Sequence, residues 1–287
     1  MKVSVYLVTF NRKKLLERAI LSVINQTYQN IELIVIDDNS QDGTKEYLES
    51  NYDEYNKSID FKFYVNSKNR GACFSRNKAI KVASGEFITG LDDDDYFLHN
   101  RIAKFIDAWS DKRVNTICLF SDFMTKSHCG FTKSRRKRFI SQSDLLYSNH
   151  IGNQVFTHTK NLIVIKGFDE TMHAWQDLDC WYRLLGGGEA ERIKEITYVM
   201  DVSHAYDRIS LSHIEKIIES SNHMKKKYGY NWSERNRLDN QLIRYKFNMY
   251  LYLKCLVAFI ITLDKKGFIK LHLCSWHALR KRYIDRY

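Results

Sequence analysis

Four consecutive carboxylates, Asp92 to Asp95, follow the apolar stretch Glu86-Phe87-Ile88-Thr89-Gly90-Leu91. Acids at the end of a short buried strand allow two chemistries. One is a solvated acidic turn, the usual fate of a charge run. The other is a hard-cation site, because oxygen ligands hold Mg²⁺ or Mn²⁺ and commonly share the ion with phosphates of a substrate. Two further polar groups bear on the choice. Thr9-Phe10-Asn11 and Asp37-Asp38 each end an apolar run as well. Residues 9–14 read TFNRKK, with no glycine, so no phosphate-cradling loop of the Walker kind follows the first run.

The elements that must carry these groups alternate. Residues 2–9 (KVSVYLVT) read as a strand. Residues 11–26 follow at helical spacing through Leu15, Leu16, Ala19, Ile20, Val23 and Ile24. Residues 31–36 (IELIVI) form a second buried strand, and a helix begins after Asp42-Gly43-Thr44. Residues 61–65 are a third strand, 72–82 a helix and 87–91 a fourth strand. Strands alternating with helices predict a mostly parallel sheet with right-handed crossovers. Ligands of such sheets bind beyond the carboxyl ends of the strands. Thr9-Phe10-Asn11, Asp37-Asp38 and Asp92–Asp95 all fall at such ends, which favours the ligand-site reading over the solvated turn. Beyond residue 96 the alternation weakens. A helix is expected over 101–109, strands over 116–123 and 196–202, a basic loop at 133–138 (KSRRKR), and a helix over 177–185 stopped by Gly186-Gly187-Gly188.

Bulk composition narrows the class. The chain has 287 residues, 44% of them hydrophobic, and no proline. Six scattered cysteines form no C-x-x-C pair, which argues against a disulfide framework or zinc site and fits a reducing cytosol. No signal peptide is recognised at the start. The net charge of +11 is unevenly placed: residues 1–130 hold 18 Lys+Arg against 18 Asp+Glu, whereas residues 131–287 hold 27 against 16. The first half is neutral with local acidity. The C-terminal part is basic and suits phosphate-rich partners or an anionic membrane surface.

In chain order the polar clusters are Thr-Phe-Asn-Arg (9–12), Asp-Asp-Asn-Ser-x-Asp-Gly-Thr (37–44), Asn-x-Gly with Arg-Asn (69–77), and Gly-Glu-Phe-Ile-x-x-Leu-Asp-x-Asp-Asp (85–95). Gly-Phe-Asp-Glu (167–170), Gln-Asp-x-Asp-x-Trp-x-Arg-Leu (176–184), His204 and Arg208-Ile-Ser follow. This ordered set resembles the family-2 inverting glycosyltransferases of GT-A fold, over about residues 1–210. The resemblance implies a Rossmann-like, mostly parallel α/β domain over 1–210, with a helical, basic extension over 211–287. It implies that Thr9, Asn11 and Asp38 line a uridine pocket, with Asp38 near the uracil ring. Asp92 and Asp94 match the two acids of the DxD motif: Asp94 would bind Mn²⁺ or Mg²⁺ and Asp92 would face the ribose or donor sugar. Asp177 matches the catalytic base and His204 a metal or diphosphate ligand. Asp93 is expected to point outward as a spacer, with Asp95 left open between the two roles. Gln176 departs from the acid frequent before the base.

The chemistry that follows is transfer of a hexose, galactose or glucose, from a UDP-sugar to a hydroxyl of a polyprenyl-diphosphate-linked saccharide, with inversion to a β-glycoside. By analogy the product is an O-antigen or capsule glycan, made by a peripheral enzyme on the cytoplasmic membrane face. Each residue also has a plainer reading. Asp38 would cap a helix, Asp177 would favour a helix N-terminus, and His204 would be structural. Trp175 and Trp181 suit an acceptor platform, although the spacing of Trp181 suits the core. Two other classes compete. A nucleic-acid-binding protein would use the charge and KSRRKR, against which stand the neutral first half and its acidic strand ends. A nucleotidyltransferase would use Asp92–Asp95 for Mg²⁺, against which stands the missing glycine loop. Residues 242–263 are rich in apolar and aromatic side chains, and the uninterrupted part is too short to span a bilayer. They read either as a core helix or as an interfacial helix whose following lysines and arginines meet anionic headgroups.

Overall fold

A computed structural model describes residues 1–204 and 214–284, with side chains to residue 280. Arg208-Ile-Ser and Arg286 lie outside the described residues. The chain forms two compact units that are discontinuous in sequence. The first comprises Met1–Ser141, Ile151–Glu170 and the stretch from Cys180 through the last strand; the second comprises Gln142–His150, Thr171–Asp179 and the C-terminal helices.

In the first unit the strands are β1 (Val3–Thr9), β2 (Ile31–Asp37), β3 (Asp60–Val65), β4 (Phe87–Asp92), β5 (Tyr96–Phe97), β6 (Thr116–Ser127), β7 (Gly130–Lys133), β8 (Phe139–Ile140), β9 (Phe156–His158) and β10 (Glu189–Asp201). They form one sheet in the order β3-β2-β1-β4-β9-β6-β10-β5, with β7 on β6 and β8 on β10. The helices α1 (Lys13–Ile24), α2 (Thr44–Asn56), α3 (Ala72–Val82) and α4 (Arg101–Ser110) alternate with the early strands, and α6 (Thr159–Val164) follows β9. Strands β1 to β4 pair in parallel, β9 runs antiparallel to both β4 and β6, and β10 is parallel to β6. The strand-helix alternation read from the sequence is therefore observed. It works for β1 and β2 because both faces of these strands are covered, which makes their residues a nearly continuous apolar run.

Register positions the site. Thr9 pairs with Asp37 across β1 and β2, and Val8 pairs with Asp92 across β1 and β4, so three polar strand ends finish side by side. One acid is buried within the sheet itself. Burial alone would raise the pKa of Glu32, but the Lys62 ammonium, the Ser4 hydroxyl and the Ser84 amide and hydroxyl hold it down to about 2. A depressed carboxylate contributes stability above its unfolded pKa and loses it as pH falls through the folded one. Glu32→Gln is expected to cost on the order of 3 kcal/mol at pH 7, with the gap to wild type closing between about pH 4.5 and pH 2. Melting curves over that range measure it.

The second unit holds α5 (Gln142–Leu145) and α8 (Ile214–Tyr228), α9 (Trp232–Ile243), α10 (Met249–Ile261) and α11 (Lys265–Ile284). The helix α7 (Gln176–Leu184) begins in the second unit and ends in the first. A capping box starts α9: the Asn231 side chain accepts from the Glu234 amide, and the Glu234 carboxylate accepts from the Asn231 amide. Ile243, Cys255, Phe259 and Leu271 form an apolar core among the last three helices. Gly267 is required there, because a Cβ would sit 2.6 Å from the Phe259 ring. Among the described residues no two cysteines form a disulfide.

Candidate active site

The turn after β4 organises the first unit's polar edge. The Asp95 amide donates to the Asp92 carbonyl at 3.1 Å, which closes the turn and ends the alternation of side chains along the strand. Asp93 consequently folds inward. It is 5% exposed, accepts from the Thr9 hydroxyl at 2.8 Å and pairs with Arg12 at 3.0 Å. The expectation of an outward spacer is thus corrected. Burial pushes Asp93 up to about 6, against the opposing pull of Arg12.

Asp94 is the meeting point of two arginines and a histidine. One carboxylate oxygen lies 3.3 Å from Arg12 Nη1 and 3.3 Å from His204 Nε2, and the Asp94 carbonyl accepts from Arg18 at 2.5 Å. Arg18 also pairs with buried Asp201 at 2.5 Å, so one side chain of α1 ties the acidic turn to the end of β10. Burial works against the charge of Arg12, yet Asp93 and Asp94 more than offset it and raise the Arg12 pKa. Asp92 faces the other way. It accepts from Arg76 at 3.1 Å, Asn153 at 2.7 Å and Gln154 at 3.0 Å. Gln154 in turn accepts from the Tyr6 phenol at 3.0 Å. This chain of contacts requires Gly90, since a Cβ there would meet Gln154 at 1.9 Å and the Tyr6 ring at 2.3 Å.

Asp95, left open by the sequence, is a buried support. Tyr198 donates to it at 2.7 Å, the Asp201 amide at 2.9 Å and Asn153 at 3.2 Å. Burial, then Asp94 and Asp92, push its pKa well above the ordinary value.

Asp38 ends β2 as a loop anchor. Its carboxylate accepts from Asn66 at 2.8 Å and from the backbone amides of Arg70 and Gly71 at 3.0 and 2.7 Å, which fixes the loop that starts α3. Asn11 sits at φ 54°, a conformation asparagine tolerates. Its amide donates to Ser40, and its side-chain carbonyl accepts from the Gln41 amide at 2.7 Å, stapling the loop after β1 to the loop after β2. Thr9, Asn11, Asp38, Asp92, Asp94 and His204 therefore share one edge of the first unit's sheet.

The geometry admits a divalent ion. Mg²⁺ and Mn²⁺ sites that share the ion with substrate phosphates need only one or two protein ligands. Asp94 and His204 offer an oxygen and a nitrogen at 3.3 Å. Among the described residues no three His, Cys, Asp or Glu side chains cluster as a metal cage, so any ion held here would be completed by a ligand.

Asp177 belongs to the second unit. It lies in the first turn of α7, half-buried, and accepts from the Asn149 amide at 2.9 Å. Gln176 beside it donates to the Met172 carbonyl at 3.1 Å. Trp175, at φ 56°, holds a conformation uncommon for a bulky residue and packs against Tyr245. Trp181 is fully buried and donates to the Gly152 carbonyl at 2.9 Å, which places it in the core rather than on an acceptor platform. Arg12, Arg18, Asn153, Gln154 and Tyr198 join the site without having been expected there. Arg12 had a signal, its place in the Thr-Phe-Asn-Arg cluster; the others come from a helix face, a loop and a late strand with no pattern of their own.

The glycosyl transferase family 2 profile matches residues 4–167. A putative colanic acid biosynthesis glycosyl transferase, WcaA, of Escherichia coli K12 is 32% identical over 218 residues, covering 73% of this chain and 76% of its own. A GalNAc(5)-diNAcBac-PP-undecaprenol beta-1,3-glucosyltransferase of Campylobacter jejuni is 29% identical over 190 residues, covering 64% of this chain and 59% of its own. Among solved structures, the mannosyltransferase PcManGT from Pyrobaculum calidifontis, in complex with GDP-Man and Mn²⁺, aligns with a TM-score of 0.66 at 15% identity, over 99% of this chain and 82% of that one. That likeness concerns the fold, which is GT-A. The profile match over more than half of the chain decides for glycosyl transfer over nucleotidyl transfer: this chain belongs to glycosyl transferase family 2 and is a glycosyltransferase.

Proposed function

We propose that the chain transfers a hexose, glucose or galactose, from a UDP-sugar to a hydroxyl of a polyprenyl-diphosphate-linked saccharide, with inversion, in the assembly of a bacterial surface polysaccharide. The observation that carries this reading is the convergence of Thr9, Asp38, Asp92 and Asp94 at three strand ends in register, with His204 3.3 Å from Asp94. The named activities of the two relatives, one in colanic acid synthesis and one a beta-1,3-glucosyltransferase on an undecaprenol-PP acceptor, support the acceptor class.

In this reading Thr9, Asn11 and Asp38 border the uridine, and Asp92 faces the ribose or sugar. Asp94 and His204 hold Mn²⁺ or Mg²⁺. The ion, when bound, neutralises charge that develops on the departing diphosphate. Asp177 takes the proton from the acceptor hydroxyl as its oxygen bonds to the anomeric carbon and the bond to UDP breaks. One displacement inverts an α-linked donor to a β-glycoside. The acceptor class puts the enzyme at the cytoplasmic face of the membrane as a peripheral protein, and no described helix is long and apolar enough to cross it.

A donor screen tests the reading. The protein with Mn²⁺ and a panel of UDP-, GDP- and dTDP-sugars is expected to bind and slowly hydrolyse one UDP-hexose, with loss of both on chelation. A response confined to GDP- or dTDP-sugars overturns the donor assignment.

A further inference from the structure

The last two helices close on one face and leave the other bare. Cys255, Phe259 and Leu271 meet in the core of the second unit. On the opposite side Leu253, Val257 and Ile260 of α10 are 50%, 51% and 56% exposed. Ile269, Leu273 and Trp276 of α11 are 60%, 56% and 60% exposed. Both sets step by four and then three residues, so each is a single stripe along its helix. Leu263, in the turn between the helices, is 83% exposed and continues the surface. Apolar stripes of this extent mark a surface with a partner.

Charge selects the partner. Residues 241–284 contain nine Lys and Arg but one acid, Asp264. That acid is engaged by Arg237 at 2.8 Å and by Tyr147 at 2.6 Å. Lys265 and Arg280 are exposed on α11 itself, and Arg280 lies over the Trp276 ring. A second copy of this face, related by a two-fold axis, would bring like charges together. Apolar stripes bordered by cations, with a tryptophan among them, match the boundary between acyl chains and anionic headgroups.

We infer that the α10–α11 hairpin is a monotopic docking face that seats this protein on an anionic phospholipid bilayer. The inference rests on the membrane-borne acceptor proposed above and adds the surface that reaches it. Apolar residues enter the acyl boundary while Lys265, Lys270 and Arg280 meet lipid phosphates.

The test uses the full chain and sedimentation with vesicles of phosphatidylcholine, with or without phosphatidylglycerol. Wild type is expected to bind the anionic vesicles and to release with salt. Leu253→Asp combined with Leu273→Asp is expected to weaken binding at least about tenfold, and Lys265→Glu with Lys270→Glu to remove the preference for phosphatidylglycerol. Melting curves check that each variant is folded. UDP-sugar hydrolysis on the same samples separates the two readings. Failure of wild type to bind, or equal binding by the Leu253/Leu273 variant, overturns the docking face even where hydrolysis is intact. A dimer in sedimentation velocity that the Leu253/Leu273 variant dissolves, without vesicle binding, overturns it as well. Vesicle binding that depends on these residues supports it even where no UDP-sugar is hydrolysed.

Discussion

Asp94→Asn is expected to lower turnover by about three orders of magnitude and to abolish Mn²⁺ binding in the presence of UDP. The Asp94 carboxylate lies 3.3 Å from His204, and it shares the same oxygen with Arg12. An amide at that position keeps the shape and removes the charge that a divalent ion requires. Losing a metal-held leaving group costs several kcal/mol of transition-state stabilisation, and about 4 kcal/mol corresponds to three decades of rate. The fold should tolerate the change, because Arg12 retains Asp93 at 3.0 Å and Arg18 retains the Asp94 carbonyl. Manganese electron paramagnetic resonance titration with UDP, alongside turnover, gives two readouts. Asp93→Asn is the control: a buried acid held by Thr9 and Arg12 should alter stability more than metal affinity. Metal-dependent turnover of Asp94→Asn within tenfold of wild type would remove Asp94 from the metal role.

How much of this was legible in the chain depended on what the sheet does to sequence. Strands β1, β2 and β4 are covered on both faces, so they read as apolar runs with abrupt polar ends, and those ends turned out to be in register. The inward turn of Asp93 was not legible, because the Asp95–Asp92 turn breaks the strand alternation on which facing arguments rest. Asn153 and Gln154 were equally hidden: they reach Asp92 from a loop before a strand of three residues, too short to show periodicity. Tyr198 sits in a strand whose register shifts at Ile196, which erases a simple inside-outside pattern. The C-terminal helices were ambiguous for another reason. Apolar residues occupy both faces of α10, so composition alone could not separate a core helix from an interfacial one, whereas burial divides Cys255 and Phe259 from Val257 and Ile260.

Asp177→Asn is expected to leave UDP-sugar affinity within about twofold of wild type while transfer falls by 10³- to 10⁴-fold, the upper range for loss of a general base. The residue lies in the first turn of α7, where the helix macrodipole favours negative charge, and a base must be anionic to accept a proton. Asn149 donates one neutral hydrogen bond at 2.9 Å, which orients the carboxylate without cancelling its charge. The amide of the variant can still bond Asn149 after rotation, so the start of α7 should persist. Donor affinity by calorimetry and transfer to a lipid-linked saccharide must then part company, because the donor ligands proposed at Thr9, Asn11, Asp38 and Asp94 are untouched. Asn149→Ala should show a smaller loss in the same direction, since it removes one hydrogen bond to the carboxylate but spares the base. A fall in donor affinity matching the fall in transfer would instead make Asp177 a donor ligand or a structural acid. Intact transfer would pass the role of base to another residue, and with it the assignment of the acceptor side to α7.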